Sequence, residues 1–135
     1  MKISAKAEYA CLALLALFRL ASEHGPVRIR EIAEAYAIPE RYLVQILLQL
    51  KGSGLVTSTR GAAGGYRLAR SADQISVREV LDAIDGPQRD RETNGPAGRA
   101  LTAVWREVRL AEQAVLDRTS IADLAEAVAP HEWVI

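Results

Sequence analysis

The chain has 135 residues, half of them hydrophobic and a quarter charged, with 17 Lys and Arg balanced by 17 Asp and Glu. This composition fits one globular domain, or one with an appended helix, and excludes a disordered or fibrous chain. The longest apolar run, Ala10 to Phe18, is too short to span a bilayer. The single cysteine, Cys11, allows neither an internal disulfide nor a thiolate metal site, so a reducing cytoplasm and no membrane partner are expected.

The zero net charge hides a polarity. Residues 1–71 carry ten Lys/Arg against five Asp/Glu, a net of +5, and the remaining seven basic and twelve acidic residues leave −5. Such a chain can present one face to a polyanion and another to water or a partner subunit.

In chain order, residues 3–22 predict a helix that is apolar around most of its circumference. In so small a protein this implies burial against a second subunit as well as the core, with Leu14, Leu17 and Phe18 at the contact. Arg28 to Tyr36 predicts a short helix, Ala37-Ile38-Pro39 a break with the proline at the first helical position, and Glu40 to Lys51 a second helix with Leu43, Ile46, Leu47 and Leu50 inward. Leu55–Arg60 and Tyr66–Arg70 alternate around Gly61-Ala62-Ala63-Gly64-Gly65, the pattern of a β-hairpin with a glycine-rich tip. Ser76 and Glu79 predict a capping box that opens a helix to Asp85. Residues 86–98 read as a polar loop bearing glycine and proline. Beyond it Leu101, Val104, Val108, Ala111 and Val115 step like a coiled-coil seam, widened by Trp105. Thr119-Ser120 opens a last short helix, Ile121 to Val128, and the apolar tail His131–Ile135, with Trp133, is expected to dock on the body or on the partner.

Two helices joined by a three-residue turn and followed by a hairpin give the order of a winged helix-turn-helix, mainly α in class. The second helix would present Glu40, Arg41, Tyr42 and Gln45 to base edges. Arginine can fork onto guanine, glutamine can pair with adenine, and Val44 can touch a thymine methyl. In the hairpin, Gly61, Gly64 and Gly65 would let the backbone approach phosphates, with Arg60, Arg67 and Arg70 supplying charge. Arg28 and Arg30, with the amides that open their helix, would hold phosphates and set register. Winged helices also serve as protein-interaction modules, which stands as the alternative.

Enzymatic chemistry has no footing: there is no phosphate loop, zinc spacing or nucleophile elbow. His24 and His131 each lack a second ligand nearby, so no metal site is expected. Cys11 on its apolar helix reads as a small buried hydrophobe, with a redox-responsive regulator as the rival reading.

Several segments go further than a generic pattern. Met1-Lys2-Ile3-Ser4, Glu8-Tyr9-Ala10, Arg30-Glu31-Ile32-Ala33, Ile38-Pro39-Glu40-Arg41-Tyr42-Leu43, Gly64-Gly65-Tyr66-Arg67-Leu68-Ala69 and Val80-Leu81-Asp82-Ala83-Ile84-Asp85-Gly86 resemble the IscR/NsrR/CymR-type (Rrf-two) family of bacterial transcription regulators. The likeness is close over residues 1–86 and one of layout beyond. It implies a homodimeric DNA-binding factor, usually a repressor, paired through the long helix with helix 1 packed on the partner's. It places DNA contacts at Arg41, Tyr42, Gln45, Ser58, Arg60 and the Gly61–Gly65 tip. It also implies an organisation of 1–86 as the winged helix-turn-helix, 87–98 as a loop, and 99–135 as the dimerisation helix and C-terminal helix. Sensing members ligate an iron–sulfur cluster through three cysteines in that loop, where this chain has none. Asp90, Glu92 and Asn94 are poor replacements for soft thiolates. No cofactor is therefore expected, and control would come through a small molecule, a thiol or a partner protein.

Overall fold

The computed structural model describes residues 2–128, with residues 22–24 described by backbone alone. The side chain of His24 and the expected docking of the His131–Ile135 tail lie outside that description.

The elements run α1 (Ala5–His24), α2 (Ile29–Ala35), α3 (Glu40–Gly52), β1 (Val56–Thr59), β2 (Gly65–Leu68), a 3₁₀ turn (Ala72–Gln74), α4 (Val77–Asp85), α5 (Gly95–Arg118) and α6 (Ile121–Ala127). β1 and β2 pair antiparallel from Val56 opposite Leu68 to Thr59 opposite Gly65. The architecture is mainly α with a β-hairpin wing, in line with the sequence.

α1 is the spine. Its start is fixed by the Ser4 hydroxyl, which accepts from the Ala7 amide at 3.0 Å and donates to the Asp85 carboxylate at 2.8 Å, tying the N-terminus of α1 to the end of α4. Packing on α1 are α3, α4, α2, α6 and β2, and the core they share includes Ile32, Leu43, Ile46, Leu47, Leu50, Leu55, Ile75, Val80 and Ile121. This corrects one expectation. Leu14 and Leu17 are fully buried inside the chain's own core and are not available to a partner, whereas Phe18 is 41% exposed. The all-round apolar character of α1 is absorbed by elements on several sides.

Two local expectations also shift. Pro39 is the N-cap of α3 rather than its first residue. The Ser76 hydroxyl caps the Glu79 amide at 3.1 Å, but the Glu79 carboxylate turns to Arg70 instead of closing a capping box. The reciprocal box forms at Ser120 and Asp123, opening α6.

The predicted loop 86–98 is shorter than expected, because α5 already begins at Gly95. Asn94 is its N-cap and Pro96 sits in the first turn, where a missing N–H costs nothing. Gly98 is needed for packing, since a Cβ there would lie 2.6 Å from the Thr93 carbonyl carbon. The Thr93 amide donates to Thr102 Oγ1 at 3.1 Å, pinning the crossing. Asp90 then ties the loop to the helix through Arg106, at 3.3 Å, and Arg109. Those guanidiniums, the Arg109 hydrogen bond first, hold the Asp90 carboxyl below its ordinary range.

α5 packs on α4 and buries only Gly98 of its own residues. Leu101, Val104, Trp105, Val108 and Val115 are each between 41% and 49% exposed, and Ala111 beside them is exposed too. The stripe read from the sequence is therefore one continuous apolar face.

Candidate nucleic-acid interface

The turn between α2 and α3 is tight because Ala37 adopts a left-handed φ of 53° and the Ile38 amide donates back to the Ala33 carbonyl at 2.9 Å. α3 then sorts its residues by face. Leu43, Ile46, Leu47 and Leu50 are buried, while Glu40, Arg41, Tyr42, Val44, Gln45 and Leu48 are exposed. All four predicted base readers thus stand on the open side of α3, near its N-terminal end.

Two of them are not loose. The Arg41 guanidinium lies 4.9 Å from the centroid of the Tyr42 ring, and its Nη2 donates to the Tyr42 hydroxyl at 3.2 Å. Tyr42 in turn stacks on Tyr9 of α1, with centroids 6.0 Å apart and planes at 16°. Sequence reasoning assigned Tyr9 no part in this site, since nothing local ties it to a residue 33 positions on.

The wing is anchored at three points. Beside β2, Val27 and Tyr66 exchange backbone hydrogen bonds of 2.9 and 2.8 Å, adding a third extended segment. At its tip, Arg28 donates to the Ala62 carbonyl. On β1, Lys51 at the end of α3 donates to the Ser58 hydroxyl at 2.7 Å. Lys51 was not singled out from the sequence, though a lysine in the last turn of α3 was a visible signal.

The wing glycines answer to packing more than expected. Gly65 belongs to β2, not the tip, and a Cβ on it would meet the Val27 carbonyl oxygen at 2.6 Å. A Cβ on Gly64 would stand 2.2 Å from the Thr59 carbonyl oxygen. Gly61 has open space but a φ of 101°, which an L side chain rarely adopts. Two of the three glycines are thus demanded by the wing's own fold, whatever they approach outside it.

Between the start of α2 and the wing lies an open depression lined by Arg28, Arg30, Ser58 and Arg60, so residues 28–30 and 58–60 converge in space. Arg67 is exposed and leans back over Gly25, placing it at the α1–α2 end of the wing. Arg70, expected to add charge to the wing, is instead committed to Glu79 and the Gln74 carbonyl. Among the described residues, none of Arg28, Arg30, Arg41, Lys51, Arg60 and Arg67 is in an ion pair with a carboxylate. Arg28, Arg30 and Arg60 line one depression, and Arg41 and Lys51 stand near the two ends of α3, an arrangement suited to a polyanion.

Cys11 lies within α1 against the core, and burial, reinforced by the nearby Glu8 carboxylate, pushes its thiol up to about 11. That environment suppresses the thiolate on which redox sensing depends. No helix among the described residues is long and apolar enough to cross a membrane.

Comparison with known proteins adds three findings. The family described as Rrf2, iron-dependent transcriptional regulator, matches residues 3–127. A relative from Mycobacterium tuberculosis, named among the HTH-type transcriptional regulators, is 42% identical over 97% of this chain and 85% of its own length. Among solved structures, CymR, the global cysteine regulator of B. subtilis, superposes with a TM-score of 0.85 at 33% identity, covering 96% of this chain and 99% of that one. The IscR of T. potens follows at 0.80 and 31%, covering 97% and 90%.

Proposed function

The chain belongs to the Rrf2 family of transcriptional regulators, and from that premise we propose that it is a sequence-specific repressor that binds double-stranded DNA as a homodimer and works without an iron–sulfur cluster. The observation that carries the DNA reading is the six cations around α3 and the wing, none in an ion pair with a carboxylate among the described residues. In this reading Arg28, Arg30, Lys51, Arg60 and the amides that open α2 take phosphates. Arg41, Tyr42 and Gln45 read base edges, and Glu40 screens against the wrong ones. Residues 1–86 form the DNA-binding unit, 87–94 the connecting loop and the helix from Gly95 onward the pairing region.

The homodimer is supported by the exposed face of α5. A 24-residue helix that buries one glycine and presents Leu101, Val104, Trp105, Val108, Ala111 and Val115 on its surface needs a cover. Phe18 would join it from α1.

The family description mentions iron, and the donor set here does not fit an iron–sulfur cluster. The only cysteine of the chain is Cys11, and the 86–98 loop offers Asp90, Glu92 and Asn94. Asp90 is already bound to two arginines. Hard oxygen donors and a committed carboxylate do not replace thiolates. The regulator would instead answer to a small molecule or a protein partner, and as a DNA-binding factor in the cytoplasm it would have no catalytic role.

Fluorescence anisotropy of the purified protein on duplex DNA from its own upstream region, against a scrambled duplex, tests the proposal. The expected result is a preference of roughly 10³-fold or more for the upstream duplex. Equal affinity for both, or binding to neither, would contradict it.

A further inference from the structure

The geometry points to Tyr9 as a positioning residue for base readout, acting from α1 through Tyr42 on Arg41; the inference rests on the DNA-binding reading above. Arg41 is exposed at the second residue of α3, and an exposed arginine would ordinarily sample many rotamers before meeting a base. Here the guanidinium is restrained twice by its neighbour, through the ring at 4.9 Å and the hydroxyl at 3.2 Å. That restraint is only as good as the tyrosine that supplies it, and Tyr42 is itself 43% exposed. Tyr9 removes this weakness. It is half-buried against the core cluster and lies nearly parallel to Tyr42, 16° between planes, so the Tyr42 ring is anchored to the rigid spine of the fold. The chain of contacts runs from core to Tyr9, Tyr42 and then Arg41. An arginine ordered before contact loses less freedom on binding, and this favours the one base-edge geometry it is ordered for. Contacts to phosphates elsewhere are untouched. Tyr9 therefore governs preference between sequences and leaves general DNA affinity alone.

The test is the ratio of affinities for the upstream and scrambled duplexes in Tyr9→Leu, Tyr9→Met and Tyr9→Phe. An aromatic pair of this kind is worth a factor of about three to ten. The leucine and methionine variants should lower the ratio by that factor with the scrambled-duplex affinity and its salt slope unchanged, and phenylalanine should keep the wild-type ratio. In an Arg41→Ala background Tyr9→Leu should lower the ratio by less than it does in wild type, since only the share carried by Tyr42 remains. An unchanged ratio in Tyr9→Leu overturns the inference. So does an equal loss on both duplexes, or failure of both aliphatic variants to fold, since either makes Tyr9 a structural residue only. If the wild-type protein binds no duplex, the DNA reading itself has failed. The stack is then tested alone by the Arg41 Nε–H resonance of the free protein, which should be sharp in wild type and broadened in Tyr9→Leu; an identical resonance in both overturns the stack as well.

Discussion

Cations around α3 and the wing, and three arginines from α4 onward, are used in opposite ways. Around α3 and the wing, Arg28 and Lys51 donate to a carbonyl and a hydroxyl of the wing, and Arg41 to a tyrosine, so each is held in place and keeps its charge uncompensated. From α4 onward three of the seven arginines, Arg78, Arg106 and Arg109, are in ion pairs. Arg78 pairs with Asp117 at 2.8 Å and with Asp82 at 3.6 Å, and Arg106 and Arg109 share Asp90. Arg70, at the border, is drawn to Glu79 of α4. The lesson is that residue type does not assign a cation to a partner; its carboxylate neighbours do. The +5 half would be a poorer surface for a polyanion if its cations were held by carboxylates as Arg78, Arg106 and Arg109 are.

The largest effect that sharpens this contrast is expected at Gly64. Gly64→Val sets a side chain against the Thr59 carbonyl and should cost about 3 kcal/mol in urea unfolding, with loss of DNA binding as the wing breaks. Next is Val108→Asp on the exposed α5 stripe, 47% exposed in the single chain. It should leave the melting of each subunit's core intact and shift sedimentation from dimer to monomer; an unchanged dimer would remove α5 as the pairing surface. Third, Arg60→Ala should weaken binding to upstream and scrambled duplexes alike, by about tenfold, while Arg70→Ala, whose charge is already met by Glu79, should change affinity little. Equal losses for the two would erase the distinction between the halves.

The smallest effect concerns Cys11. Its folded-state value of about 11 lies above the ordinary 9, so folding favours the protonated thiol. The resulting stability is complete below pH 9 and is lost as pH rises from 9 through 11, because the unfolded chain releases its proton first. Cys11→Ser should flatten that part of the pH–stability curve. At pH 7.5 wild-type Cys11 should react with iodoacetamide far more slowly than a free thiol, and rapid labelling would revive a redox role.

How much of this was legible beforehand follows from sequence separation. Periodicity exposed the inward face of α3, and Leu43, Ile46, Leu47 and Leu50 are buried as read. The same approach could not divide the apolar surface of α1 between core and partner, because Leu14, Leu17 and Phe18 look alike until α3, α4 and α6 are packed around them. The wing glycines were visible, but the neighbours that require them, Thr59 and above all Val27, emerge only once the hairpin pairs and docks. Residues that share no local pattern escaped altogether: Tyr9 with Tyr42, Arg28 with Ala62, and Arg70 with Glu79. Each joins elements whose approach is set by the core rather than by local propensity.

The central claim is that the uncompensated cations, and not the paired ones, meet the DNA backbone. The most direct measurement is the log–log salt slope of binding for two triple variants, Arg28/Arg30/Arg60→Ala and Arg70/Arg106/Arg109→Ala, against wild type. The account predicts that the first slope becomes shallower by roughly 0.9 for each phosphate contact removed, while the second stays at the wild-type value. Equal slopes in all three proteins, or a change confined to the second, would contradict it.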